Sequence, residues 1–136
     1  MRLCNETVTV FNKRLDPETG AYVYLPTVIT GASWYCEIAS AVDTTGLHAA
    51  DRFIVRIPAD ADFGGKEYME AVDYKNSEKV EGLFTLAQGD VIVKAAVEES
   101  LPLAQLHERY SECCTILGVT DNRRAPNAPH FKVVGK

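Results

Sequence analysis

The residue pattern predicts a mainly β fold: a small antiparallel β-barrel or sandwich with one or two short helices and a long acidic insert loop. Three observations predict it. Apolar and polar residues alternate over short runs such as TVTVFN and RFIVRIP, the period of a half-buried strand. Gly, Pro and Asn/Asp residues separate those runs and supply turn chemistry. The C-terminal CCTILGVTDNRRAPNAPHFKVVGK reads as strand, loop, strand, a hairpin that buries little alone and so has to join a larger sheet.

In order, Thr7–Asn12 is a strand with Val8 and Val10 inward, and 13–20 is a turn opened by Asp16-Pro17. Residues 21–25 form a second short strand, with Pro26 marking its end or an edge. Residues 28–39 form a longer strand, with a bulge or bend at Gly31. Trp34, Cys36 and Ile38 share one face of it, and Trp34 reads as a core anchor in preference to an exposed contact. Residues 40–50 are expected to be a surface loop with a solvated His48. In 52–58, Phe53, Val55 and Ile57 share one face, opposite Arg52, Ile54 and Arg56. Two outward arginines are ordinarily a solvated or ion-paired surface; contact with a neighbouring subunit is the sharper reading.

Residues 59–84 break the alternation and carry seven carboxylates. A structureless connection of this length is uncommon in a compact domain, which marks it as a candidate functional loop. About two helical turns are expected over 66–74, with Tyr68, Met69 and Val72 as the apolar positions. DADFGG lacks most of the oxygen ligands of an EF-hand. Gln88-Gly89-Asp90 turns into a strand over 91–97, with Val91, Val93, Ala95 and Val97 on one face. A short helix or turn follows in LAQLHERY. The last strands are 113–120 and 131–134, joined by a loop of about nine residues. That loop and its end hold Arg123, Arg124 and His130, the densest cationic cluster in the chain.

At 136 residues and 15.0 kDa the chain is read as one domain, 1–136, long enough to bury a core. Net charge is −5 and the pI about 5.2, unlike the basic footprint of a protein that grips nucleic acid. No apolar run approaches a membrane span, and MRLCNETVTVFN has no secretory h-region, so cytoplasmic synthesis is expected. The four cysteines, Cys4, Cys36, Cys113 and Cys114, include no CxxC. The adjacent pair points to opposite strand faces, and buried free thiols are expected. His107 beside Glu108 does not form a facing pair on a helix. Neither phosphate-binding glycine loops nor HExxH nor GxSxG occurs. No enzyme activity, metal or cofactor is therefore expected.

Five stretches, CNETVTVFN, ITGASWY, FIVRIP, FTLAQGDVIV and LGVTDNRRAPNAPHFKVVGK, together resemble the minor capsid or head–tail connector proteins of tailed phages and prophages of Gram-positive bacteria. The strand followed by Asp121-Asn122-Arg123-Arg124, then Pro129-His130 leading into the last strand, is the most specific piece. What the resemblance implies is a structural virion component resembling head completion (stopper) proteins. Such a barrel would form a ring below the portal and adaptor, join the tail, and help retain or pass DNA, with no sequence-specific binding. The acidic insert departs from that pattern. A tail terminator or tail-tube ring protein is the alternative within the class, and a stand-alone small-barrel binding module the alternative outside it.

On this reading the protein forms a ring of about six or twelve copies with head-to-tail interfaces. It is located in the virion neck, touches no membrane, and has the adaptor or portal and the tail as partners. Candidate interface residues are Arg52, Arg56, Arg123, Arg124 and His130, with the arginines meeting a neighbour's acidic insert. The candidate channel or partner loop is Asp60, Asp62, Gly64, Gly65 and Lys66.

Overall fold

The computed structural model describes residues 6–16, 18–43, 46–77, 80–100, 103–110, 112–124, 126–127 and 129–136. For 36–43, 46–51, 103 and 107 it describes the backbone alone. Cys4, and the side chains of Cys36, Ile38, His48 and His107, lie outside the described residues.

The elements run β1 (Glu6–Leu15), β2 (Tyr22–Asp43), β3 (Gly46–Pro58), β4 (Glu67–Tyr68), α1 (Ala71–Asn76), β5 (Leu83–Phe84), β6 (Val91–Val93), α2 (Leu103–Arg109), β7 (Cys113–Asn122) and β8 (His130–Gly135). Six strands close an antiparallel barrel in the order β1-β2-β3-β8-β7-β6, with β6 returning to β1. The expected mainly β barrel with two short helices is what the chain forms. β4 and β5 make a small parallel ladder of their own inside the insert.

β2 organises the barrel. Its 22 residues replace the short strand expected at 21–25 and the longer one expected at 28–39. The first half pairs with β1 up to Ala32, and Ser33 onward pairs with β3. Pro26 does not end the strand, because residues 22–32 pair with a barrel strand on one side only. The Pro26 carbonyl points to the other edge, where Lys66 Nζ donates to it at 2.7 Å. The missing N–H lies on that same side, so no ladder bond is lost. Gly31 is the expected bulge. It is skipped in the register between Glu6↔Ala32 and Thr7↔Thr30, and its φ of 98° is one that a side chain would strain.

Residues 40–50 are not a loop. The β2–β3 ladder continues from Ser33↔Arg56 to Asp43↔Gly46, whereas β3 meets β8 only from Phe53 on. Residues 37–43 and 46–52 therefore pair only with each other, as a two-stranded arm beyond the barrel. Small and polar residues break up the apolar ones there, so the sequence reads as a loop.

The strand alternation sorts side chains into two cores. Inside the barrel lie Val8, Val10, Ile29, Val55, Ile57, Ile92, Cys114, Ile116, Phe131 and Val133, joined by Phe84 and Leu86. Outside, Phe11, Tyr24, Val91, Val93, Val97, Leu106 and Cys113 form a second cluster, covered by α2 through Leu106. Each side chain so buried contributes about 1.5–3 kcal/mol. Trp34 is half-buried against the barrel core and tilts on Phe53 at 5.2 Å. The strand expected over 91–97 stops at Val93. Beyond it the Thr9 hydroxyl substitutes for the ladder, donating to the Ala95 carbonyl and accepting from Val97 N–H. Gly135 sits where an added Cβ would stand 2.9 Å from the Thr115 carbonyl oxygen, so β8 passes β7 at a distance only glycine permits.

Candidate functional site

The acidic insert is fastened to the barrel rather than looped away from it. Asp62 and Thr30 exchange backbone hydrogen bonds, and Asp62 Oδ1 accepts from Gly64 N–H at 2.9 Å. Lys66 reaches Thr27 Oγ1 at 3.0 Å besides Pro26, and burial lowers its pKa. Phe63, Tyr68 and Phe84 pack on one another and on the barrel core. The helix falls at Ala71–Asn76 instead of 66–74, with Tyr74 as its buried residue and Val72 71% exposed. Of the candidate channel loop, Asp62 and Lys66 thus hold the insert to β2, while Asp60, Gly64 and Gly65 are exposed.

The candidate cations separate into two places. Arg56 on β3 lies opposite Lys132 on β8, and His130 lies opposite Pro58. By alternation these side chains share the outer sheet face, away from Phe53, Val55 and Ile57. His130 Nε2 is 3.3 Å from Asn122 Nδ2, and Arg52, opposite Glu37, begins the arm. Arg123 instead turns to its own chain's insert. Its guanidinium donates to both Asp121 oxygens and to Glu70 Oε1. It also lies 4.9 Å from the ring centroids of Tyr68 and Phe131. The Arg123 hydrogen bonds lower the Asp121 pKa, and the same contact raises that of Arg123. Arg124 is exposed beside it.

A buried polar clip, absent from the sequence reading, joins β1 to the turn before β6. Asn12 and Asp90 are 1% and 3% exposed. Asn12 Nδ2 donates to Thr85 O at 2.6 Å and Asp90 Oδ2 at 2.9 Å, while Asn12 Oδ1 accepts from Thr85 N–H. The Asp90 carboxylate also accepts from Lys13 N–H and Ala87 N–H. Burial pushes the Asp90 carboxyl up to about 6, against the pull of those donors. With no second titratable group bonded to it, Asp90 has the geometry of a structural clamp.

Beside the clip a groove of about 930 Å³ opens between the end of β1, the start of β2 and α1. Its rim carries Lys13, Arg14 and Lys75 together with Leu15, Tyr22 and Val72. The sequence hides it, because the β1–β2 hairpin end, residues 71–77 and residues 85–90 build it together. Burial pushes the Cys113 and Cys114 thiols up to about 11 and about 12, with the Cys113 charge adding to the latter. Among the described residues, no group of three His, Cys, Asp or Glu side chains could hold a metal ion, and no helix is long and apolar enough to cross a membrane.

Over residues 3–136 the sequence matches the profile of a family described as "Family of unknown function (DUF6751)", and the chain belongs to that family. No curated protein and no solved structure matches it.

Proposed function

We propose that this family member is a structural ring component of a phage head–tail connector, stopper-like, joining the tail below the portal and adaptor and letting DNA pass. The observation that carries the reading is the arm. The backbone of residues 37–43 and 46–52 pairs in a two-stranded ladder that neither β1 nor β8 extends, and such a ribbon is marginal in water until something completes it. The edges of a two-stranded ribbon are surfaces on which another chain can add a strand. A closed barrel with one such projection suits a protein whose work is contact with protein neighbours.

The chain's net charge of −5 fits a lumen that does not hold DNA by counterion release. The outer face with Arg56, Lys132 and His130 is the proposed partner-facing cationic surface. A tail terminator or tail-tube ring would use the same arm, and position in the neck separates the three. The test is mass spectrometry and electron cryomicroscopy of purified phage particles from a host encoding the chain. The expected result is a ring of this barrel at the head–tail junction. Absence of the chain from particles that retain their tails overturns the proposal.

A further inference from the structure

The outer face of the barrel carries a like-charge pair. Arg56 and Lys132 stand directly opposite one another in the β3–β8 register, a position in which like charges cost stability. Among the described residues neither forms an ion pair. The register extends the row on both sides, with Ser33 opposite Arg56 and Thr120 opposite Lys132. Hydroxyl, guanidinium, ammonium and hydroxyl thus cross four strands in one line on one face. The neighbouring row is Tyr35, Ile54 and Val134, with Tyr35 55% exposed. Arginine and tyrosine beside half-buried aliphatic side chains are the make-up of a protein-binding surface. A net charge of −5 disfavours a long polyanion as its occupant.

The complementary surface is on the insert. Glu67 N–H donates to the Gly82 carbonyl, which brings Glu67 and Glu81 to the same end of the β4–β5 ladder. Tyr68 packs inward on Phe84 and Phe131, so its neighbour Glu67 faces away from the barrel. Both carboxylates are exposed, and among the described residues neither forms an ion pair. They do not swing across to Arg56 and Lys132 in their own chain, because Asp62 and Lys66 fasten the insert to β2 at Thr30, Pro26 and Thr27. Arg123, by contrast, already meets Asp121 and Glu70 within the chain, which leaves the β3–β8 face as the cationic surface open to a neighbour.

We infer that the Arg56–Lys132 face of one copy docks on the Glu67–Glu81 edge of the next copy's insert. Two different surfaces of one chain meet in this contact, so it is head-to-tail and closes a ring or runs on as a filament. It names the partner of the cationic face and rests on the ring reading for its biological setting only; the contact itself is between copies in solution.

The experiment is sedimentation velocity of the full chain up to millimolar concentration, at low and high salt. Wild type is expected to associate as concentration rises, and more weakly at high salt. Arg56→Glu with Lys132→Glu reverses the face, and Glu67→Lys with Glu81→Lys reverses the insert edge. Each variant alone should associate at least about tenfold more weakly than wild type. An equimolar mixture should associate again, because every contact then joins opposite charges, and that recovery also shows that both variants fold. Arg56→Gln with Lys132→Gln keeps the test readable if a reversed variant unfolds: with the repulsion removed it should keep the wild-type melting temperature and still associate more weakly. Wild type monomeric at millimolar concentration, a folded variant associating like wild type, or a mixture of folded variants that stays monomeric overturns the inference. A labelled single-stranded oligonucleotide that binds wild type and not the glutamine variant, with no self-association, assigns the face to nucleic acid and overturns it too. Recovery in the mixture by a chain absent from particles sinks the ring reading and keeps this contact. Particles containing the chain, with no recovery in the mixture, sink this contact alone.

Discussion

Asp90 makes the stability of this protein depend on pH in a sense opposite to most carboxylates. Unfolded, the group titrates near 3.8; folded, burial lifts it to about 6. The native state therefore holds the proton more tightly, and its advantage is fully present below pH 3.8. That advantage is lost as pH rises toward 6 and stays lost above it. At about 1.4 kcal/mol per pH unit, the loss over this window is up to about 3 kcal/mol. Urea midpoints of wild type and Asp90→Asn between pH 3.5 and 7 should show it: the variant's curve lacks this slope, so the difference between the two shrinks as pH rises. Parallel curves would mean that folding leaves the Asp90 pKa unshifted. The carboxamide also turns an N–H toward a backbone donor, a cost of about 1–3 kcal/mol at low pH. None of this is legible from the sequence. Asp90 reads there as a turn residue, because Asn12 lies 78 positions away.

At the scale of elements, alternation is a good guide wherever a strand has one core face. Val8 and Val10, and Val55 and Ile57, point inward as their spacing requires, and Cys113 and Cys114 fall into separate clusters. It fails for the arm, where few apolar residues alternate, and for the insert, whose aromatic residues serve a core they do not adjoin in sequence. Arg123 shows the same limit. Its bond to Asp121 is local, whereas Tyr68 and Glu70 reach it only through the fold. Because this one side chain ties the β7–β8 connection to the insert, Arg123→Ala should cost about 1 kcal/mol. Amide exchange should quicken at Glu67 and Met69, which bond across the insert to Gly82 and Phe84, and change little in β1 or β8. Arg123→Lys restores neither the fork nor the stacking in full. Uniform acceleration across the barrel would contradict a local role.

For the molecule as a whole, barrel closure and arm are separable. The ladder bonds of residues 39–50 run only within the arm, so replacing that stretch by an Asn-Gly turn should leave the barrel intact. Thermal unfolding should move by no more than about 5 °C. A large drop in the midpoint would show that the arm folds back onto the barrel and stabilises it. The groove completes the picture: three stretches, each unremarkable in sequence, become a surface only once the β1–β2 hairpin end, α1 and residues 85–90 meet.

The length and continuity of β2 have one more consequence. A load applied where β2 turns into β3 would run along both strand axes, against β1 on one side and β8 on the other. Cross-strand bonds perpendicular to that pull would be sheared together instead of peeled one after another. The barrel would then resist tugging at Asp43 far better than prying at the short β6 edge, whose contact with β1 spans only Thr9 to Phe11.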